Sequence, residues 1–483
     1  MMPHLIPNHF KMAPVRLVAL AVMAVSLNGC QSILPDYLRP KLDVPVVYTE
    51  AQQIAVTEQA KAQISSTWWT LYQDQILNDL VSKALQNNTD VKLAVARIEE
   101  ADAVAHEVGA ASFPQVDLNL ASSRSRVTES GASSVISSNP RSNYKAQLGT
   151  AFEIDFWGKL HNAKESVRAQ ALSQRYAKDT VALSLSGLVA NHYLVMRSLE
   201  LQIAISQDSL KNREASLALT KRRLEGGVSS ALDVFQAEVA SANLSAQLIE
   251  LNRLRALRLH QLAILTGVMD LSIAFADINV LPVAPIPPAG LPSSLLESRP
   301  DIRQAEAQMI AANANIGVAK AALYPTISLT ASLGGESLAL GDVLKSAARI
   351  WTAGLSLNLP IFDSGKLNSK VEQASAKQKQ ALASYEAAVQ NAFSEVNDAL
   401  VNLRQNSERE SALSRSEGFA KKALQVSENR YQSGYSAYIE VLDAQRVYNE
   451  STLALLQSRE AKLTASVALF KALGGGWKAG VEQ

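Results

Sequence analysis

The sequence Arg223-Leu224-Glu225-Gly226-Gly227-Val228-Ser229 recurs as Arg430-Tyr431-Gln432-Ser433-Gly434-Tyr435-Ser436, 207 residues later. Gly158-Lys159-Leu160 and Gly365-Lys366-Leu367 are separated by the same 207 residues. Self-similarity at a fixed spacing indicates that one structural unit has been duplicated. The chain of 483 residues is therefore predicted to contain two internal repeats.

Two further matching segments lie earlier in each repeat. Residues 89–114 match residues 300–325 without a gap, at a spacing of 211 residues. The spacing therefore shortens from 211 to 207 residues between Pro114 and Gly158. We expect a variable loop there, because loops accommodate deletions at little cost.

Each repeat contains a predicted strand hairpin, over residues 114–157 in the first and 325–362 in the second. Apolar residues such as Val116, Leu118 and Leu120 alternate there with polar ones. A period of two predicts strands of about ten residues with one apolar and one polar face. A soluble β-sandwich shows the same alternation and is the alternative on this feature alone.

Three details favour strands that cross a membrane. Tyr144 and Trp351 hold matching outward positions, as membrane-interface aromatic residues would. The polar face carries charges that suit a water-filled lumen, and the loop from Val127 to Arg141 is rich in Ser and Gly. The predicted fold class is therefore an α+β membrane protein.

Long helices make up the rest of each repeat. Residues 159–224 and 366–431 contain no proline, and each stretch of 66 residues would extend about 100 Å as a helix. Returning helices are predicted from Ser229 to Thr266 and from Ser436 to Leu473. The glycine turns make each pair an antiparallel helical hairpin, and hairpins of this length need neighbours in a coiled-coil array.

The strand count makes assembly necessary. Four strands per chain cannot close a barrel, since small transmembrane barrels need about eight. An open sheet edge in lipid would leave backbone groups without hydrogen bonds. Two chains would supply eight strands and three would supply twelve, and a lumen wide enough for a solute favours three or more.

The N-terminus has the pattern of a lipoprotein signal. Lys11 and Arg16 precede the apolar run Leu17–Leu27, whose 11 residues are fewer than the ~20 needed to span a bilayer. Cys30, the one cysteine, follows Asn28-Gly29 and is the predicted lipidation site, carrying a covalent N-acyl diacylglycerol. The alternative is a free thiol beside an ordinary signal peptide. Gln31-Ser32, without a neighbouring Asp, favours sorting to the outer membrane by resemblance to enteric lipoproteins.

The composition argues against several functional classes. The net charge of +1 lacks the basic surplus of a nucleic-acid binder, so we expect no nucleic-acid partner. His106, His161, His192 and His260 are scattered without metal-ligand spacing. With no nucleophile motif or phosphate loop, the chain is predicted not to be an enzyme and to hold no metal or other cofactor.

Several short motifs occur in order along the chain. They are Pro35–Pro40, Trp68-Trp69, Arg299–Glu306, Ala311–Gly317, Leu359–Gly365, Val441–Ala444 and Leu473–Trp477. Together they resemble the TolC-like outer-membrane efflux protein family, in particular the NodT-type RND efflux outer-membrane lipoproteins. The resemblance covers nearly all of the chain after Cys30.

The resemblance implies a homotrimer with one twelve-stranded transmembrane β-barrel, continued by a long α-helical coiled-coil barrel in the periplasm. It also implies work as the outer component of a tripartite pump. The implied partners are a periplasmic adaptor (membrane fusion) protein, an inner-membrane RND-type transporter and outer-membrane lipids.

The predicted organisation divides the chain into six parts. These are a signal peptide over 1–29, a lipidated segment over 30–74, the first repeat over 75–268, a Pro-rich equatorial linker over 269–292, the second repeat over 293–477 and a tail over 478–483.

The candidate pore constriction is Glu440 and Asp443. They lie three residues apart, on one helix face just beyond the second glycine turn. Threefold symmetry would turn them into two acidic rings, a cation-selective constriction. The resemblance aligns them with the acidic constriction of TolC-like channels, and the alternative is a solvated helix face.

The candidate gate link joins Tyr431 and Asp233. By the same resemblance, Tyr431 can bond to Asp233 of the other hairpin, and the alternative is helix-end packing of Tyr431. Ser436 stands where some family members have an arginine, so the closed state is expected to be weaker or differently linked.

The predicted function is passive conduction of drugs or other small toxic compounds from the periplasm to the exterior, gated at the periplasmic helical tip. Within the family, type I polypeptide secretion and heavy-metal efflux are alternatives. A periplasmic adaptor would show one helical hairpin flanked by soluble β-domains, and a structural envelope lipoprotein would not need duplicated strands. Both fit the repeats less well.

Overall fold

The computed structural model describes residues 37–40, 45, 48, 66–126, 140–275, 280–285 and 299–476. The predicted signal peptide, Cys30, residues 127–139 of the first hairpin loop, residues 276–279 and 286–292 of the linker and the C-terminal tail lie outside these residues. The described chain is mostly helical with one small sheet.

The helices and strands follow the predicted pattern closely. They are α1 (Gln75–Asn87), α2 (Thr89–Ala110), β1 (Gln115–Ser125), β2 (Arg141–Ile154), α3 (Lys159–Glu225), α4 (Ala231–Thr266), α5 (Pro300–Ala321), β3 (Thr326–Ser337), β4 (Arg349–Asn358), α6 (Lys366–Gln432) and α7 (Tyr438–Ala472). The two long helices α3 and α6 have 67 residues each. The returning helices α4 and α7 begin two residues later than predicted, after their N-cap residues Ser230 and Ala437.

The chain divides into two compact units, and each draws on both repeats. The first comprises Met1–Pro40, Glu99–Ser173 and Glu306–Ser384, and it holds the sheet. The second comprises Lys41–Ile98, Gln174–Ala305 and Tyr385–Gln483, and it holds both glycine turns.

The sheet of the first unit is antiparallel, in the order β1-β2-β3-β4. One row across it pairs Leu118 with Leu148, Leu148 with Leu333 and Leu333 with Trp351. Because residues directly opposite one another point to the same side, this register collects the apolar residues of all four strands on one face. Most of the Ser, Thr, Asn, Gln and charged residues share the other face. The predicted two-faced strands are confirmed as one sheet.

Two glycines allow close approaches at the loop end of β3. A Cβ on Gly334 would lie 2.2 Å from the carbonyl oxygen of Ala146, and one on Gly335 would lie 1.9 Å from that of Val343. Both neighbours are backbone atoms, so a side chain at either position would displace β2 or the β3–β4 loop.

The core of the second unit forms around aromatic residues. Trp68 is fully buried and stacks on Phe470 at 5.5 Å between ring centroids. The Tyr193 hydroxyl donates a 2.7 Å hydrogen bond to Asp74, whose other oxygen caps the N-terminus of α1. Burial is the main cause that raises the pKa of Tyr193, which therefore stays protonated at physiological pH.

Arg299 ties three segments of the second unit together. Its guanidinium bonds to Asp301 at 2.6 and 3.0 Å, to Glu395 at 2.8 Å and to the carbonyl of Ala472 at 2.7 Å. Burial disfavours the charge, but the two carboxylates outweigh it and raise the pKa of Arg299. The Arg-Pro-Asp motif at the start of α5 is thus a buried structural junction.

No helix among the described residues is both long and apolar enough to cross a membrane.

Candidate channel constriction at the helical hairpin turns

Both helical hairpins reverse direction at a glycine with a positive φ angle. Gly227 has φ 71° and Gly434 has φ 80°, the left-handed conformation that ends a helix most easily at glycine. In the first turn the Val228 N–H donates to Arg223 O at 2.8 Å, and in the second the Tyr435 N–H donates to Arg430 O at 2.9 Å. The recurring glycine motif therefore builds two equivalent turns.

The first turn uses Asp233 to begin α4. The Asp233 carboxylate accepts hydrogen bonds from the Ser230 N–H at 3.0 Å and the Ser229 hydroxyl at 2.9 Å, while the Ser230 hydroxyl accepts from the Asp233 N–H. This reciprocal arrangement is a capping box. The backbone hydrogen bond from Ser230 is the main cause that lowers the pKa of Asp233.

The second turn lacks this capping arrangement. Ala437 stands 207 residues after Ser230 and provides no side-chain cap to α7, while Glu440 stands 207 residues after Asp233. Within the described part of the chain, the exposed Glu440 carboxylate has no hydrogen-bond or ion-pair partner. Replacement of the capping serine by alanine therefore leaves the acid of the second repeat available to solvent and solutes.

Asp443 is part of a charged row along α7. Arg446 donates to Asp443 at 2.7 Å and to Glu450 at 3.0 Å, and all three side chains are more than half exposed. Hydrogen bonds from Arg446 to Asp443 first, and then to Glu450, raise the pKa of the guanidinium. Charged residues spaced three and four apart lie on one helix face, so the sequence could have indicated this row. The sequence analysis nevertheless missed Arg446 and Glu450.

A groove between α4 and α7 lies beside this row. Its volume is about 620 Å³. Its lining includes Phe235, Val239, Leu442, Asp443, Arg446 and Asn449. The exposed Phe235 and Val239 make one wall apolar, whereas Asp443 and Arg446 make the other wall charged.

Tyr431 packs against the turn instead of bonding to Asp233. Its ring lies 4.7 Å from the Arg223 guanidinium and 5.2 Å from the ring of Tyr438, whose hydroxyl bonds to Ser216 at 2.9 Å. Among the described residues there is no hydrogen bond between Tyr431 and Asp233. These contacts correspond to the alternative of helix-end packing by Tyr431. The gate link between Tyr431 and Asp233 stays a prediction.

Aromatic side chains lie at both ends of the sheet in the first unit. Tyr144 and Trp351 share the apolar face near the hairpin loops, and Trp351 is 76% exposed. At the opposite strand ends the sequence analysis missed a second group. It comprises Phe113, Phe156, Trp157, Tyr324 and Phe362.

The second aromatic group combines packed and exposed rings. Trp157 stacks on Tyr324 at 4.7 Å, and its indole N–H donates to Pro325 O at 2.8 Å. Phe113 and Phe362 are 68% and 88% exposed. Aromatic residues therefore lie at or beyond both ends of the strands.

The organisation of both repeats matches a known family. Residues 80–268 and 291–475 match the family model for outer membrane efflux proteins. The chain belongs to this family. This match confirms the predicted TolC-like family, the outer-membrane location and the role in efflux.

Relatives of this efflux protein align over nearly its whole length. A toluene efflux pump outer membrane protein, TtgC of Pseudomonas putida, is 34% identical over 466 residues, which cover 95% of this chain and 96% of the relative. The cation efflux system protein CusC of Escherichia coli is 31% identical over 468 residues, which cover 97% of this chain and 100% of the relative. Among solved structures, the outer-membrane channel OprN superposes with a TM-score of 0.85 at 29% identity, covering 92% of this chain and 99% of OprN. The family is one of efflux components rather than of enzymes.

Proposed function

We propose that three copies of this chain form a homotrimeric channel, the outer-membrane part of a tripartite efflux pump. Four strands from each copy close a twelve-stranded barrel, and the helices continue it as a coiled-coil barrel in the periplasm. The channel conducts small toxic organic compounds passively. A periplasmic adaptor joins it to an inner-membrane RND-type transporter, which supplies the energy and most of the substrate choice.

One observation carries the proposal, the exposed apolar face of the sheet. Leu118, Leu333, Leu355 and Trp351 on that face are between 62% and 76% exposed in the single chain. The edge strands β1 and β4 each have one strand partner within the chain. Lipid outside and further copies at both edges would satisfy the apolar side chains and the edge backbone groups together.

The polar face suits the inside of such a barrel. Ser332 bonds to Thr352 at 2.9 Å, Asn143 bonds to Glu336 at 2.9 Å, and Lys145 lies directly opposite Glu336. Barrel strands that alternate apolar and polar residues place the polar set toward the lumen. The two aromatic groups would then mark the two membrane interfaces. Lipid on Cys30 would anchor the N-terminal segment over 30–74 to the membrane.

The constriction is proposed at the hairpin turns. Each chain brings Glu440, Asp443, Arg446 and Glu450 along one side of α7, three negative charges and one positive, or a net charge of two negative units. Three chains would surround the axis with this row, favouring cations and repelling anions. Docking of the adaptor at the turns would separate the hairpins, with Tyr431 and Asp233 as the proposed gate link.

A growth assay tests the proposal. The gene would be deleted and restored on a plasmid, and both strains would be grown with toluene, dyes, detergents, antibiotics and copper salts. We expect the deletion to lower the tolerated concentration of several organic compounds and the plasmid to restore it. Sensitivity to copper alone would favour heavy-metal efflux, and no sensitivity at all would contradict the proposed efflux role.

A further inference from the structure

The apolar face of the sheet carries two charged residues among its strand positions, Arg124 and Arg349. Arg124 lies two residues beyond Ser122, which pairs with Tyr144. Arg349 lies two residues before Trp351 and pairs with Gly335. Both arginines therefore lie toward the hairpin-loop end of the sheet, Arg124 one row beyond Tyr144 and Arg349 between the rows of Trp351 and Tyr144.

The other charged strand residues lie on the opposite face. The register places Asp117, Lys145, Glu153 and Glu336 there, together with Arg141 at the start of β2. No Asp or Glu of the four strands shares the face of Arg124 and Arg349. Both arginines are exposed, and within the described ranges neither has a hydrogen-bond or ion-pair partner.

This arrangement leaves both guanidinium groups available to an anionic partner outside the protein fold. An arginine on a lipid-facing strand is destabilising at the membrane midplane but costs little at the interface. Two strand residues advance about 7 Å. Arg349 lies one such step beyond Trp351 and Arg124 one such step beyond the row of Tyr144, so each guanidinium group is close to an aromatic residue that would mark the membrane interface. A guanidinium binds phosphate oxygens in a bidentate manner.

We propose that Arg124 and Arg349 bind the phosphate groups of a phosphorylated glycolipid in the outer leaflet. The inference rests on the proposed function, which turns the apolar face toward lipid and the hairpin loops toward the exterior. In a closed barrel β4 of one chain would lie beside β1 of the next. Each such junction would place Arg349 of one chain and Arg124 of the next on adjacent strands, toward the same end of the apolar face, giving three equivalent sites.

The test uses the purified full-length protein in detergent and measures lipid binding by native mass spectrometry. The probes are diphosphorylated lipid A, its dephosphorylated form and inorganic phosphate. We expect the wild type to bind the diphosphorylated lipid, and Arg124→Gln with Arg349→Gln to bind it about tenfold more weakly. The dephosphorylated lipid should bind weakly to both proteins.

Two variants serve as controls. Arg141→Gln removes a positive charge at the same end of the sheet but on the opposite face, and should bind like the wild type. Arg124→Lys with Arg349→Lys keeps the charges and should retain part of the binding. Each single glutamine variant should show an intermediate loss, which keeps the test decisive if the double variant fails to assemble.

The outcomes separate the inference from the proposed function. Equal lipid binding by the wild type and the glutamine variants, in proteins that still conduct in bilayers, would overturn the arginine site alone. If inorganic phosphate displaced the diphosphorylated lipid at a concentration equal to that of the lipid, the arginine site would be a phosphate site and not a lipid site. A wild-type protein that does not insert into bilayers would overturn the proposed function and the lipid site with it.

Discussion

Arg446 donates a 2.7 Å hydrogen bond to Asp443 one turn earlier in α7, whereas Glu440, one further turn away, has no partner among the described residues. The two acids predicted as a constriction are therefore not equivalent. One is partly neutralised by its neighbour, and the other presents a full charge. This difference gives separate predictions for the acids and for the arginine.

Replacing Glu440 by Gln and Asp443 by Asn should lower the preference of the channel for cations. The change removes two of the three negative charges of the row and leaves Arg446 paired with Glu450. The reversal potential in a planar bilayer under a KCl gradient measures this preference. Glu250→Gln is the control, because Glu250 is an exposed acid of α4 paired with Arg253. Unchanged selectivity in the double variant would rule out the constriction.

Replacing Arg446 by Gln should have the opposite effect. Without the guanidinium, Asp443 and Glu450 present unscreened charges, so the cation preference should rise above that of the wild type. The same reversal-potential measurement applies. A fall in cation preference would mean that Arg446 orients the acids instead of offsetting their charge.

Replacing Ala437 by Ser should stabilise the second turn. A serine there, three residues before Glu440, completes the sequence pattern of a capping box, which contributes about 0.5–2 kcal/mol. Hydrogen exchange of the first α7 amides should slow. Ser230→Ala in the first turn is the matched opposite change, and faster exchange there alone is expected. No change in either variant would contradict the capping account.

Asp233 makes the first turn sensitive to acid. Its pKa is lowered in the folded state, so its stabilising contribution is present above the unfolded pKa of about 3.9 and is lost as the pH falls through the lower folded value. The hydrogen-exchange protection factors at the start of α4, corrected for the intrinsic rate at each pH, should therefore fall on acidification below about pH 4. Asp233→Asn should remove this dependence, and the Ala437 turn, which has no capping acid, should lack it.

Most of the fold follows from local patterns. The alternation in 114–157 and 325–362 predicted the strands, because each side chain of a strand faces the side opposite to its neighbours. The absence of proline predicted α3 and α6, and Gly227 and Gly434 predicted the turns, because only a few residues around each position decide them.

Contacts between distant residues were harder to predict. Arg299 bonds to Glu395 and to the carbonyl of Ala472, 96 and 173 residues away, so no local pattern signals the junction. The second aromatic group was missed because its members lie beyond the ends of the four strands, where the alternation no longer marks a face. Tyr431 was assigned by resemblance, and its observed contacts with Arg223 and Tyr438 depend on how the hairpins pack.

We propose that three chains share one barrel, since a sheet of four strands leaves the edges of β1 and β4 to pair with other copies. Native mass spectrometry of the full-length protein, released from lipid-like detergent, measures the number of copies directly. We predict an assembly of three chains, with no stable single chain at low protein concentration. A stable single chain, or an assembly of two, would contradict the twelve-stranded barrel.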